Sequence, residues 1–429
     1  MRAEPPRTRT TMLIAVAALV IAACATPRPN PGITCTLTAG AQTPQPAPAM
    51  APGDRRKARA LRAWALADSP QPSALRRQIA QNYLDRMAEK AAPRPLPAPP
   101  GPGALPPVPA ATSYDILVLS AGGQYGAYGS GFLKGWGDRA DLIPGRAAID
   151  MITGVSTGAL MATYAYLGSS NDAAVRARFD DILKEQYTTL NDEDIFRQRG
   201  TLELLWANSV RDTAPLKTRL MRLITDELLD EVVAEAQRSK RLLFIGAVNA
   251  DSGHFEHFDL IAMAGDTSES RRACYVSAIL AAAAIPVAFN PVFINGQMYL
   301  DGGVRQHAFF LEQVAAALPQ PTKNILGILH GDLQVGVAQT KNGLIGVASR
   351  ATTLMTDQLM LDSAYYVDAE GKRLGFDVQW TAAASVDCPT DDDNDSFSPI
   401  EGRCLWDAGL ARARDEADPW KELRELTGP

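Results

Sequence analysis

Four short runs, apolar at almost every position, constrain the fold of this chain more than any other feature. They are residues 115–120, 148–153, 242–248 and 325–329. A strand buried on both faces is apolar throughout, as in a parallel sheet, whereas a half-exposed strand alternates. Segments of helical pattern separate the runs, near residues 216–237, 269–284 and 349–374. The alternation predicts an α/β fold with a mostly parallel central sheet covered by helices on both faces.

Residues 1–23 have the layout of an export signal. A positively charged start precedes an apolar run at residues 12–22, which is too short to span a bilayer. Small residues then lead into Cys24, which resembles a bacterial lipobox, where the signal is removed and the cysteine is lipidated. An ordinary secretory signal cut near Ala23 is the alternative. Because Ala25 follows the cysteine, we expect a lipid-anchored envelope protein at the outer membrane.

Composition divides the rest of the chain into three parts. Residues 24–112 are rich in proline and alanine and predict a flexible tether, with a helical segment at 54–92 and a proline-rich linker after it. We expect the folded domain at residues 113–385 and a C-terminal extension at 386–429. No segment beyond the signal approaches about eighteen consecutive apolar residues, so the sequence predicts no transmembrane helix.

Charge and cysteine content argue against several classes of function. The formal net charge is -6, which does not favour nucleic acid as a partner. The five cysteines include no Cys-x-x-Cys pair, so neither a disulfide scaffold nor a zinc site is expected. His254 and His257 lie three residues apart in an extended-looking stretch, where they would face opposite sides. We therefore expect no metal and no organic cofactor.

Three other cysteines have local contexts that allow an interpretation. Cys388 and Cys404 bracket an acidic loop at residues 391–395, and outside the cytoplasm they would either form a disulfide or stay free. The loop resembles half an EF-hand, but Ser396 stands where glycine is needed, so calcium is not favoured. Cys274 lies in a helical run and is expected to be a small core residue.

The second apolar run ends in a G-x-S-x-G sequence, from Gly154 to Gly158 with Ser156 at its centre. Such a serine sits on a tight turn between a strand and a helix, with its hydroxyl exposed at the helix N-terminus. The flanking glycines tolerate a strained backbone and let a substrate approach. The motif predicts that Ser156 is a nucleophile.

A glycine-rich loop at residues 121–126 follows the first apolar run. Its Gly122 and Gly123 can direct backbone N–H groups at one anion, either the oxyanion of acyl transfer or a phosphate. The spacing also approaches the G-x-G-x-x-G of a dinucleotide-binding turn, with Ala121 at the first position. A dinucleotide-binding turn would give Ser156 no functional role, so we favour the oxyanion site.

A third element, Asp301 followed by Gly302 and Gly303, ends an apolar stretch 145 residues after Ser156. Alone, Asp-Gly-Gly is typical of an ordinary turn. A serine hydroxyl is a poor nucleophile at its free pKa, however, and a carboxylate whose pKa is raised by partial burial can take its proton. Asp301 is therefore a candidate base.

The three elements, in this order, resemble the patatin-like phospholipase family, and the signal makes the chain similar to a bacterial lipoprotein member. The resemblance implies a three-layer α/β/α fold, with residues 113–385 as the catalytic domain. It implies hydrolysis of acyl esters, such as phospholipids or lysophospholipids, by a Ser-Asp dyad without a cofactor. The groups that it assigns are the Ser156 nucleophile, the Asp301 proton acceptor, and the Gly122 and Gly123 N–H groups of the oxyanion hole.

The glycine-rich loop departs from the family's usual pattern at two positions. Ala121 stands where a third glycine is usual, and Tyr125 stands where Arg or Lys is frequent, although Gly126 and the helix after it match. Two other functions therefore stay open. One is an α/β-hydrolase triad of Ser156, Asp301 and His330, which occur in the required chain order. The other is a non-catalytic envelope lipoprotein that binds lipid or a partner.

Overall fold

The computed structural model describes residues 32–36, 113–142, 144–200, 203, 207–312, 323–331, 333, 339–340, 342–384, 386–389 and 397–427. The predicted export signal, Cys24, the helical segment at 54–92 and the acidic loop at 391–395 lie outside these residues. None of the helices in this part of the chain combines the length and the apolar character needed to cross a bilayer.

Ten strands and eleven α-helices lie in the described part of the chain. The strands are β1 (Tyr114–Leu119), β2 (Met151–Val155), β3 (Arg197–Gln198), β4 (Arg211–Asp212), β5 (Leu242–Asn249), β6 (Phe255–Asp259), β7 (Val292–Ile294), β8 (Gln297–Asp301), β9 (Lys323–Leu329) and β10 (Asp377–Ala382). The helices are α1 (Gly126–Asp138), α2 (Thr157–Gly168), α3 (Ala173–Thr188), α4 (Asp192–Ile195), α5 (Ala214–Leu223), α6 (Asp226–Ser239), α7 (Leu260–Ala264), α8 (Arg271–Ala282), α9 (Leu344–Arg373), α10 (Pro399–Asp415) and α11 (Leu423–Thr427).

Eight of these strands form one mixed sheet in the order β10-β9-β1-β2-β5-β8-β7, with β6 also paired to β5. The β10–β9, β9–β1, β1–β2 and β2–β5 pairs are parallel. The β5–β6, β5–β8 and β7–β8 pairs are antiparallel. The prediction of a mostly parallel α/β sheet is therefore confirmed, and all four apolar runs supply parallel strands.

The two faces of the sheet carry separate cores, as a three-layer fold requires. Leu117 and Leu119 of β1 belong to the core beneath α1, α2 and α8. Ile116 and Val118, which point the other way along the same strand, belong to the core beneath α9. Because both faces are covered, a parallel strand has no polar side, and this explains the continuous apolar runs.

Two of the predicted elements need correction. The run at 148–153 becomes a strand only at Met151–Val155. The single helix predicted at 216–237 is two helices, α5 and α6, because Thr225 starts a new helix by accepting a hydrogen bond from the Leu228 N–H at 3.2 Å.

Helix α10, from the predicted C-terminal extension, packs directly on α1. A Cβ atom at Gly131 would lie 2.0 Å from the Trp406 carbonyl oxygen, and one at Gly409 would lie 2.0 Å from that of Tyr128. Only glycine permits so close an approach of the two helix backbones.

Two disulfides join parts of the chain. Cys388 and Cys404 are bonded, with a sulfur–sulfur distance of 2.01 Å, which resolves the choice that the sequence left open. Cys274 is buried in α8 as expected, but it is also bonded to Cys35, which lies 239 positions earlier. This second bond was missed. It attaches residues 32–36 to the helix that precedes the Asp301 strand.

Candidate active site

Ser156 occupies a strained turn between β2 and α2. Its φ of 52° lies in the left-handed region, which side chains other than glycine rarely adopt. Two glycines make the turn possible, since a Cβ at Gly154 would lie 2.5 Å from the Gly158 carbonyl oxygen, and one at Gly158 would lie 2.3 Å from that of Leu119. The Ser156 N–H donates to the Ala282 carbonyl oxygen at 3.0 Å. The G-x-S-x-G sequence thus has the strand–turn–helix context that the motif requires.

The register of strand β5 brings Asp301 next to this turn. Strand β6 pairs with one side of β5 at both Gly246 and Ala247. On the other side, Gly246 pairs with Val155 of β2, and the next residue, Ala247, pairs with Asp301 of β8. Because a strand residue has one neighbour on each side, β2 and β8 must follow one another along the same side of β5. Ser156 comes directly after Val155, so it and Asp301 occupy adjoining positions.

The Asp301 carboxylate is almost completely buried beside the serine. Its Oδ1 accepts a hydrogen bond from the Gly303 N–H at 2.7 Å. Its Oδ2 has no partner of full hydrogen-bonding geometry in the described part of the chain. Burial raises the pKa of Asp301 to about 6, and the Ser156 hydroxyl and the Gly303 N–H oppose that rise. The carboxylate is therefore charged at neutral pH but protonates easily, as a general base should.

The glycine-rich loop passes over the same edge of the sheet. Gly122 and Gly123 have φ values of 151° and 56°, and a Cβ at Gly122 would lie only 1.4 Å from the His330 carbonyl oxygen. At Gly123 a Cβ would meet nothing within 4 Å, since this residue borders the cavity that also exposes Ser156. No hydrogen bond from another part of the described chain takes up either glycine N–H. These donors are thus available to an anion near Ser156.

A mainly aliphatic cavity extends from Ser156 between α2, α3 and α5. It encloses about 740 Å³, including the part open to solvent. Its apolar lining comprises Leu160, Leu183, Leu190, Ile195, Leu216, Leu220, Leu223, Ile285, Phe289 and Phe397. A space with this mainly apolar lining suits a hydrocarbon chain.

His330 lies beneath the glycine-rich loop, and its imidazole contacts neither Ser156 nor Asp301 by a hydrogen bond among the described residues. Its Nδ1 lies 2.7 Å from the Ser120 carbonyl oxygen, which can only accept, so Nδ1 carries the proton. Its Nε2 is buried without a partner in the described chain and faces Gly129 of α1. Burial lowers the pKa of His330 to about 4, so the ring is neutral.

His307 is a residue of the site that the sequence analysis did not identify. A Cβ at Gly303 would lie 3.1 Å from its Nε2, so the ring adjoins the Asp301 turn. Its carbonyl oxygen accepts from the Ala121 N–H at 2.8 Å, which ties that turn to the glycine-rich loop. Burial lowers the pKa of His307 to about 4. The only sequence signal was its position six residues after Asp301, which by itself indicates nothing.

A strained serine turn, a buried carboxylate and a glycine-rich loop, gathered at the carboxyl edge of an α/β sheet, are typical of serine hydrolases. Residues 117–312 match the model of the patatin-like phospholipase family, so this part of the chain is a domain of that family. Membership supports lipid acyl hydrolase activity in general.

Comparisons with whole proteins add no functional assignment to this family match. The crystal structure of VipD from Legionella pneumophila is similar at 12% sequence identity and a TM-score of 0.31, over 70% of this chain and 66% of that one. The chain therefore spans just under two thirds of that protein's length. A comparison with curated proteins found no match.

Proposed function

We propose that this protein is a serine acyl hydrolase of phospholipase A, lysophospholipase or esterase type, with Ser156 as nucleophile and Asp301 as base. One observation carries the proposal: β2 and β8 follow one another along β5, so that the Ser156 hydroxyl adjoins a buried carboxylate whose Oδ2 lacks a full hydrogen bond. The family match supports the same chemistry.

The first half-reaction transfers the acyl group to the enzyme. The Ser156 Oγ attacks the carbonyl carbon of the ester while its proton passes to Asp301 Oδ2. The carbonyl oxygen becomes an oxyanion and accepts hydrogen bonds from the Gly122 and Gly123 N–H groups. Such donors are worth about 3–4 kcal/mol of barrier each by analogy with single-donor deletions. When the tetrahedral intermediate collapses, the alcohol oxygen leaves with the proton from Asp301.

The second half-reaction returns the free enzyme. Asp301 takes a proton from a water molecule, which attacks the acyl-enzyme carbonyl and forms a second oxyanion in the same site. Collapse breaks the bond to Ser156 Oγ, which recovers the proton from Asp301, and the fatty acid departs. One carboxylate can serve both steps because its pKa of about 6 favours both gain and loss of a proton near neutral pH.

The cavity supports acyl esters of lipids as the substrate class. Its lining of leucine, isoleucine and phenylalanine would bury a hydrocarbon chain at about 25 cal/mol for each Å² removed from water. Ser156 borders this lining, and the ester carbonyl would lie beside it. Phospholipids and lysophospholipids fit this description.

A fluorophosphonate probe tests the proposal, because it reacts covalently only with an activated serine. We expect labelling of the wild-type protein, none of Ser156→Ala, and unchanged labelling of Ser130→Ala, in which a buried helical serine bonded to the Ala127 carbonyl oxygen is removed. Wild-type protein that is folded yet unlabelled, and that hydrolyses no lipid ester, would instead favour the non-catalytic envelope lipoprotein.

We also propose that the protein is lipidated at Cys24 and held at the outer membrane. The sequence before Cys24 supports this location, and so do the two disulfides, because such bonds persist mainly in oxidising compartments. Cys24→Ser should move the protein from the membrane fraction to the soluble fraction. Cys35→Ser, which breaks a disulfide but leaves the lipidation site, should not. Membrane retention of Cys24→Ser would contradict the anchor.

A further inference from the structure

Tyr164 lines the same cavity as Ser156, two helical turns further along α2. Ser156, Leu160 and Tyr164 are spaced four residues apart at and along α2, so all three face the cavity from one side of the helix. At 1.5 Å rise per residue, Tyr164 is about 12 Å along the axis from Ser156. A substrate chain attached to Ser156 would reach Tyr164 two helical turns away.

The Tyr164 hydroxyl has no hydrogen-bond partner in the described part of the chain, although the residue is only 3% exposed. Tyr187 provides the contrast in the same cavity, because its hydroxyl bonds both the Thr157 side chain at 2.8 Å and the Thr157 carbonyl oxygen at 3.0 Å. A buried hydroxyl without a partner is costly, and natural proteins rarely leave one. Burial also raises the pKa of Tyr164, so its proton stays available for donation.

Arg219 of α5 brings a positive charge to the same space. Its Nε donates to the Gln186 side-chain oxygen at 2.7 Å, and in the described chain neither of its terminal nitrogens has a partner. Its charge acts on Tyr164, since it lowers the pKa of that hydroxyl against the effect of burial. None of the described residues that line the cavity is acidic. Within the described chain, this mainly apolar cavity thus holds a cation without a counter-ion and a hydroxyl without an acceptor.

We propose that Tyr164 and Arg219 together bind an anionic oxygen group of the substrate, two helical turns along α2 from Ser156. This inference rests on the proposed hydrolase function and narrows its substrates. The anion is either a carboxylate at the far end of the acyl chain or the phosphate of a lipid whose head group enters the cavity.

Two substrate pairs test the inference and identify the source of the anion. The first pair is two nitrophenyl esters of equal chain length, one ending in a carboxylate and one in a methyl group. The second is a lysophospholipid and the monoacylglycerol with the same acyl chain. We expect the wild type to prefer the anionic member of one of the two pairs. A preference in the first pair would identify the anion as a carboxylate, and a preference in the second would identify it as a phosphate.

Tyr164→Phe and Arg219→Gln should each lower kcat/KM for the preferred anionic substrate about 10- to 100-fold, as loss of a hydrogen bond to a charged group predicts. The neutral substrate of that pair should keep its rate. Arg222→Gln is the matched control, because it removes the same charge from an exposed position on α5. No preference by the wild type in either pair, or an equal loss on both members, would overturn the inference while the hydrolase function stands.

A binding measurement separates this failure from a failure of the hydrolase function. By calorimetry, Ser156→Ala should bind the anionic member of one of two pairs more tightly than the neutral member. The pairs are a dicarboxylic acid monomethyl ester with the fatty acid methyl ester of equal length, and a lysophospholipid with the monoacylglycerol of the same acyl chain. Adding Arg219→Gln should abolish the difference. The measurement needs no turnover, so it supports or overturns the anion site even if the wild type hydrolyses none of the esters.

Discussion

Asp301 ends strand β8 and His330 follows strand β9, and the fold buries both side chains almost completely. Burial moves their pKa values towards the neutral form of each, up to about 6 for the acid and down to about 4 for the imidazole. Their neighbours differ, because Asp301 directs an oxygen at Ser156, whereas His330 donates to the Ser120 carbonyl oxygen and faces Gly129. Burial alone therefore does not identify a base; the free atom must also face the nucleophile.

The largest effect expected from this comparison is that of Asp301→Asn. An amide cannot take the Ser156 proton, so kcat should fall about 10³-fold or more. The same change should stabilise the fold by about 3 kcal/mol at pH 8. Burial raises the pKa of Asp301 from 3.8 to about 6, which means that the charged carboxylate destabilises the folded state, and asparagine carries no charge. At pH 4 the carboxyl of the folded wild type is itself protonated, so most of the stability gain should disappear. Steady-state kinetics and denaturant unfolding at both pH values measure these effects.

Asp259→Asn is the matched control for that change. The pKa of Asp259 is also raised to about 6 by burial, but its side chain caps α7 by accepting from the Ala262 N–H at 3.0 Å. Asparagine is an equally good N-cap. The variant should keep its activity, and a comparable loss would mean that Asp301→Asn acts through general damage to the fold.

The pH dependence of the wild-type rate should show the next largest effect. If Asp301 is the base, kcat/KM requires its ionised form and should fall about tenfold for each pH unit below about 6. A rate controlled by His330 would stay level until the pH approached about 4. A pH profile on an uncharged ester distinguishes the two, and an acid limb near 4 would favour the Ser156–Asp301–His330 triad.

His330→Gln should change activity by a few-fold at most, since no hydrogen bond joins the ring to the dyad among the described residues. Its main effect concerns stability. The pKa of His330 in the folded state is about 4, below its usual value of 6.5. The contribution of the neutral ring to the unfolding free energy is therefore complete above pH 6.5 and disappears as the pH falls to 4. The wild type should lose about 3 kcal/mol from this residue over that range, and the variant should not. Unfolding free energies from pH 7 to 4 test this, and a large loss of kcat would contradict it.

Local patterns were sufficient to predict the parallel strands, and they indicated the Ser156 turn, the glycine-rich loop and Asp301 as candidates for the site. Each of these depends on neighbours a few positions away, such as the glycines flanking Ser156, whose missing Cβ atoms the turn requires. Non-local features were not predictable. Three of them join distant parts of the chain: the Cys35–Cys274 bond, the contact of His307 with the Asp301 turn, and the succession of β2 and β8 along β5.

The same limit explains why neither the acid nor the cavity could be established from sequence. Asp-Gly-Gly is an ordinary turn until the register of β5 sets it beside Ser156. The leucines of α3 and α5 have the pattern of any amphipathic helix, and only packing reveals that they enclose a space instead of filling one.

The smallest expected effect concerns the support of His330. Ser120 Oγ accepts from the His330 N–H at 2.8 Å and donates to the Ala121 carbonyl oxygen at 2.7 Å. Ser120→Ala would leave a buried N–H without its partner, which costs about 1–2 kcal/mol of unfolding free energy. Ser130→Ala, the matched control, frees only a helical carbonyl that retains its backbone bond and should cost less. If His330 only supports the loop, the acid limb near pH 6 stays in place in Ser120→Ala; a shifted limb would mean that His330 takes part in the proton transfer.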